Sequence, residues 1–340
     1  MKKLNRLITL ALMLFFVISC EKEKLTSPEN SFSEAYLKAG ISFNSGMIVF
    51  QNQEDFQKFL GKLQNQEEML DGLEIAFKDF KSLRSTLQNL ESTIKKMNSL
   101  SELESLKEFV YLNEKDGERF IDPLVRDLYL QSVINESSLV KIGSNIHKFG
   151  LNKEAILPDT EYDPNHSSME SFLNNSKTRV ITSTIKIMSS TQKQGELEQR
   201  ASCEMVWRPN SCSHNLNWKQ LNEVYYSNVP NGFSVTVQSR YYVRGGFGAW
   251  YLSSQSDGMS YSGEVYYYWY STSSGTYVGT TQNPSNSGTG VSNLQTTYPG
   301  PSSYYLGVIN YITANVLFTG NETDAACVTT PDYQECSVSF

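Results

Sequence analysis

The sequence predicts two folded parts: a small, mainly helical α+β domain and, behind it, an all-β antiparallel sandwich or jelly roll. Two observations carry that reading. Beyond residue 200 lie all four tryptophans and sixteen of the twenty tyrosines, but only four basic and eight acidic residues. Hydrophobic spacing changes at the same place, from the three-four step of helices to the alternation of strands.

In the first domain, taken as residues 41–150, Met47 to Phe50 reads as a strand, and Asn52 caps a helix with Phe56, Phe59, Leu60 and Leu63 on one face. Met69, Leu73, Phe77 and Phe80 extend the helical spacing, and Leu83, Leu87, Leu90, Ile94 and Met97 continue it like a short coiled-coil seam. Ser101 with Glu104 forms the pattern of a capping box, and Asp122 before Pro123 has the order of a cap and first helical turn. Val140 to Phe149, broken by Gly143 and Ser144, closes the domain as a hairpin.

Residues 151–200 are polar and carry Pro158 and the turn-like Asp163, Pro164 and Asn165, so they are expected to be a linker. One strand is predicted inside it, at 179–188, available to either domain.

From 201 to 340 the period is two. Phe233, Val235, Val237, Tyr241 and Val243 share one face, and Ser234, Thr236, Gln238 and Arg240 share the other. Further strands are predicted at 247–253, 259–270, 276–281, 304–318 and 334–340, with glycines and an Asn/Pro/Ser cluster between them as turns. Seven or eight strands so punctuated imply a sandwich or jelly roll.

The first nineteen residues have the form of an export signal. Lys2, Lys3 and Arg6 precede an apolar run from Leu7 to Ile18 that is too short to stay in a bilayer. Val17, Ile18, Ser19 and Cys20 resemble the lipobox of bacterial lipoproteins, which implies cleavage before Cys20 and its acylation, for example with palmitate. Residues 20–40 then read as a charged and polar tether opening with Glu21, Lys22, Glu23 and Lys24. That run is similar to the export tags of Bacteroidetes-type lipoproteins. A second likeness to uncharacterised lipoproteins of that group lies in the segments Gly46-Met47-Ile48-Val49-Phe50, Val133-Ile134-Asn135 and Val140-Lys141-Ile142-Gly143. The resemblance implies an outer-membrane, lipid-anchored protein, facing either the cell surface or the periplasm, and transfers no activity.

Removing Lys2, Lys3 and Arg6 from 29 basic residues leaves 26 against 36 acidic ones, a charge of about −10. Nucleic acid is therefore not an expected partner; the membrane is reached through the lipid alone.

With Cys20 on lipid, Cys203, Cys212, Cys327 and Cys336 form an even set in an exported chain, and disulfides are expected. The local pairings Cys203–Cys212 and Cys327–Cys336 close hairpin-sized loops, each contributing roughly 2 to 3 kcal/mol; the alternatives tie the first strand of the domain to its last.

Chemistry is harder to find. His147, His166 and His214 stand apart without metal-ligand spacing, and Glu204, Glu223, Asp257, Glu264, Glu322 and Asp324 form no recognisable catalytic pair. No cofactor is expected, and the third-ranked function is a glycoside hydrolase with cryptic acids. The aromatic run is more telling. Val265, Tyr267 and Trp269 point inward on one strand, which leaves Tyr266, Tyr268 and Tyr270 on the opposite face, a platform for sugar rings with Glu264 beside it for hydroxyls. A binding or adhesive surface lipoprotein, for glycans, is the leading expectation; a structural or accessory subunit that contacts an envelope protein is the alternative.

Overall fold

A computed structural model describes residues 36–63, 69–115, 117–182, 185–186, 200–207, 218–229, 232–254, 256–271, 274–299, 309–322 and 332–339. The protein is mostly β, with three sheets among these residues.

Strands β1 (Ile41–Asn44) and β2 (Met47–Phe50) form a hairpin whose two-residue turn needs positive φ, supplied by Ser45 and Gly46. Helix α1 (Gln53–Leu63) follows, its first turn fixed by the Asn52 side-chain Oδ1 accepting from the Asp55 backbone N–H at 3.0 Å, as the sequence predicts. Phe56, Phe59 and Leu63 are its buried face. Helix α2 (Gly72–Ala76) is shorter than the spacing of Met69 to Phe80 suggests, because the chain turns extended at Phe77. Helix α3 (Leu83–Ile94) starts where Ser82 accepts from the Ser85 amide.

Two expected caps are displaced. The capping box falls on Ser99 and Glu102, before a 3-10 helix at Leu100–Leu106, rather than on Ser101 and Glu104. Asp122 and Pro123 start no helix: they end strand β4 (Glu118–Pro123), which pairs with β3 (Val110–Lys115). The cap for helix α4 (Leu128–Val133) is Asp127, whose carboxylate accepts from the Leu130 amide at 2.7 Å.

Strands β5 (Leu139–Ile142), β6 (Asn145–Gly150), β7 (Lys153–Pro158) and β8 (Arg179–Thr182) complete a six-stranded sheet in the order β1-β2-β5-β6-β7-β8. The N-terminal part is thus mixed and sheet-built, not mainly helical. Its β2–β5 pair is parallel, so Val49 and Phe50 lie beside Lys141 and Ile142. Phe50, Phe56, Tyr129 and Ile142 are buried in one cluster, and Met47, Ile146, Leu157 and Phe172 in another, the last from helix α5 (Met169–Asn174). Residues 151–200 therefore carry two strands and a helix within this sheet and are not simply a linker. The strand predicted at 179–188 serves both parts: β8 pairs with β7, while β9 (Ile185–Lys186) joins a strand of the next sheet.

The eight-stranded sheet comprises β3, β4, β9, β10 (Arg200–Trp207), β11 (Trp218–Val229), β12 (Gly232–Arg244), β13 (Trp250–Leu252) and, further along the chain, a strand at Asn293–Pro299. The five-stranded sheet comprises β14 (Gly258–Ser271), β15 (Thr276–Gln282), β16 (Ser285–Gly288), β18 (Ile309–Glu322) and β19 (Asp332–Ser339), with β17 being the strand at Asn293–Pro299. Val235, Val237 and Tyr241 of β12 share one buried cluster with Val265, Tyr267 and Phe318 of the five-stranded sheet. The other face of β12, expected to be polar, is also buried: Thr236, Gln238, Arg240 and Tyr242 are all sealed from water. β3, β4 and α4 explain this, because β4 pairs in parallel with β13 at Phe120–Trp250, and the Tyr129 hydroxyl of α4 donates to the Gln295 carbonyl.

The disulfide expectation is corrected. Cys203 is bonded to Cys336, joining β10 to β19, so neither local pairing is made. The two strands lie side by side at the edges of the facing sheets, and tertiary packing overrides loop length. Cys20, Cys212 and Cys327 fall outside the described residues, as do the signal and most of the tether.

Candidate functional site

The heptapeptide Glu264-Val265-Tyr266-Tyr267-Tyr268-Trp269-Tyr270 forms the C-terminal half of β14, flanked by β15 and β18. Alternation sends Val265, Tyr267 and Trp269 into the core, where they are buried, and Glu264, Tyr266, Tyr268 and Tyr270 outward. Both halves of that expectation hold in the structure.

On the outer face the rings form a connected group. Tyr266 and Tyr268 have centroids 6.4 Å apart, and Tyr268 meets Tyr277 edge-on at 5.7 Å. Tyr277 in turn meets Tyr270 at 5.4 Å. Tyr277 is the member that sequence reasoning missed. Its signal was available, because Tyr277, Gly279 and Thr281 share one face of β15 and register places Tyr277 opposite Tyr270. Gly279 has a definite role here: a Cβ at that position would lie 2.5 Å from the Tyr266 hydroxyl oxygen, so only glycine lets that ring lie across β15.

Tyr277 is 61% exposed and Tyr270 is 42% exposed, which makes them the accessible end of the group, while Tyr266 and Tyr268 are half-buried. Around them the same face carries short polar side chains. Asn315 is opposite Glu264, and Thr313 and Thr281 flank Tyr266. Glu264 and Asn315 are exposed. The site is an aromatic strip with hydrogen-bonding groups along its border.

The other carboxylates considered for catalysis are differently employed. Glu204 is 2.9 Å from the Lys219 ammonium, and Glu223 is 2.5 Å from Arg240. Asp257 immediately precedes β14; Asp324 lies outside the described residues, and Glu322 ends β18. His147 is buried with Nδ1 2.6 Å from Glu154, His166 pairs with Asp163 at 2.8 Å, and His214 lies outside the described residues. Among the described residues no group of three or more His, Cys, Asp or Glu is placed to hold a metal ion.

A second charged constellation went unforeseen. Asp122 receives Arg240 at 3.2 Å, Arg126 at 3.0 Å, the Tyr242 hydroxyl at 2.7 Å and the Asn113 amide at 3.1 Å. Burial opposes ionisation of Asp122, but Arg240 and Arg126 outweigh it and hold the carboxyl below the ordinary aspartate range. Burial of Asp127 acts unopposed by any cation and pushes that carboxyl up, against its bonds from Leu130 and Gln295. Lys219, also buried, lies 4.9 Å from the Trp250 ring centroid and contacts Glu118 and Glu204. These groups fasten the N-terminal elements to the outer face of the eight-stranded sheet.

No protein-family model matches the sequence, and no curated protein is significantly similar to it. Among the described residues no helix is long and apolar enough to cross a membrane.

Proposed function

We propose that this chain is an exported cell-envelope lipoprotein whose two facing C-terminal sheets form a β-sandwich that binds glycans on the outer face of β14 and β15. The observation that carries the proposal is the tyrosine group at 266, 268, 270 and 277, exposed at one end and bordered by polar side chains. Pyranose rings present C–H faces to which an aromatic face is complementary, and their hydroxyls suit Glu264 and Asn315 as partners. The rings already touch one another, so the surface is largely formed before a ligand arrives. Anchoring at the outer membrane through an acylated Cys20 would hold this face toward the medium; the support is the order of basic residues, apolar run and cysteine at 2–20.

A glycan array followed by titration with the best oligosaccharide tests the binding reading. Replacing Tyr270 or Tyr277 by Ala is expected to weaken binding by about tenfold each, since a ring contact is worth roughly 1 kcal/mol beyond its buried area. Unchanged affinity in both variants, or no glycan bound by the parent, overturns the proposal. Intact-mass analysis of the mature protein is expected to show an acylated N-terminal Cys20.

A further inference from the structure

Away from the tyrosine face, a cavity of about 130 Å³ lies between α3 and the outer side of the eight-stranded sheet. That space holds on the order of ten waters, or a molecule of about six to ten non-hydrogen atoms. Leu87, Ile94, Ile121, Leu128 and Leu294 give it apolar walls, and Arg84, Glu91, Arg126 and Arg240 also line it. Helix geometry puts Arg84 and Glu91 on the same face of α3, seven residues and about 10 Å apart along the axis.

The charges at the two ends are differently satisfied. Arg84 uses one terminal nitrogen on Asp71, and Arg126 uses one on Tyr111 and Asp122. Their second terminal nitrogens keep N–H donors without an acceptor among the described residues. Arg240 is enclosed by Asp122 and Glu223. Glu91 accepts from Ser253 Oγ at 2.6 Å, Ser254 N at 3.1 Å and Ser254 Oγ at 2.9 Å, all neutral donors, and no cation pairs with it among the described residues. An anion entering the cavity would meet Glu91, and a cation would meet the guanidinium groups. A molecule bearing both charges meets one of each.

We propose that this cavity binds a small zwitterion with an aliphatic body, an amino acid whose carboxylate takes the spare N–H groups of Arg84 and Arg126 and whose ammonium faces Glu91. The hydrocarbon between them lies against Leu87, Ile94 and Leu294. This site is separate from the tyrosine face and stands or falls independently of it.

Titration calorimetry on the intact protein, with 4-aminobutyrate and 6-aminohexanoate as zwitterions of two charge spacings and hexanoate and hexylammonium as single-charge controls, decides the matter. At least one zwitterion is expected to bind at least tenfold more tightly than both controls. Arg84→Gln and Glu91→Gln are each expected to weaken it at least tenfold, and Leu87→Trp, which fills the cavity and leaves the charges, to abolish it, with thermal unfolding checked for each. Arg84 reaches toward the surface, so that variant keeps the test open if another fails to fold. Equal binding of hexanoate or hexylammonium, unchanged affinity in both charge variants, or no binding at millimolar concentration overturns the proposal.

Discussion

Arg240 is the residue on which the joining of the two halves turns. It is 2% exposed and stands between Asp122 and Glu223, each with almost no exposure of its own. Such a group adds little over a well-packed apolar one, but removing the cation alone takes a buried counter-charge from Glu223 and leaves Asp122 with Arg126 alone. Arg240→Met is therefore expected to lower stability by about 3–5 kcal/mol at neutral pH, read from the urea midpoint. The dependence on pH has a definite sign. Because the folded pKa of Asp122 is depressed, its contribution is present above the ordinary aspartate value and is lost as pH falls through the folded one. The gap between parent and variant should shrink in acid, and a gap independent of pH would show that the ion pair is not its source. The sequence foretold the alternation around Arg240 but not its burial, since a polar face in a strand looks the same under water and under a second layer of protein.

Among elements, local signals were read well and distant partners were not. Asn52 and the hairpin of β5 and β6 act within a few residues of themselves, so their chemistry is legible. Asp122-Pro123 has the pattern of a helix start, yet the parallel pairing of β4 with β13 and the charge of Arg240, 118 residues away in sequence, decide in favour of a strand. The cysteines teach the same lesson. Loop length favoured neighbours, whereas the sheets bring β10 beside β19 and bond Cys203 to Cys336 across a separation of 133 residues. On the chain-entropy account that closure contributes about 5 kcal/mol, against roughly 2.6 for a hairpin-sized loop. A peptide map without reductant should contain a linked pair bearing Cys203 and Cys336. The Cys203→Ser/Cys336→Ser double variant should lose up to that larger amount in denaturant unfolding. The tyrosine strip was legible for the opposite reason: alternation within one strand fixes three of its rings, and only Tyr277 needed register to find.

At the scale of the whole molecule, composition divides the chain near residue 200, and contacts do not respect the division. Glu91 of α3 holds Ser253 and Ser254, Glu118 contacts Lys219, Asp122 takes Arg240 and Tyr242, and Tyr129 donates to Gln295. The β3–β4 hairpin continues the eight-stranded sheet beyond β13, so an edge of that sheet is built from the first half of the sequence. A fragment of 201–340 would expose the face bearing Thr236, Gln238, Arg240 and Tyr242, leave Arg240 without Asp122, and leave β13 without its β4 neighbour. Two consequences are expected together. The chain from residue 36 onward should unfold in a single calorimetric transition with matching calorimetric and van't Hoff enthalpies, and the 201–340 fragment should show no cooperative transition of its own. Two separable transitions, or a fragment that melts cooperatively, would mean that these contacts join units already stable alone. The interface joins apolar side chains such as Ile94, Val110 and Ile121 to the C-terminal core and adds buried charges and hydroxyls that need partners from both halves, and this favours one transition over two.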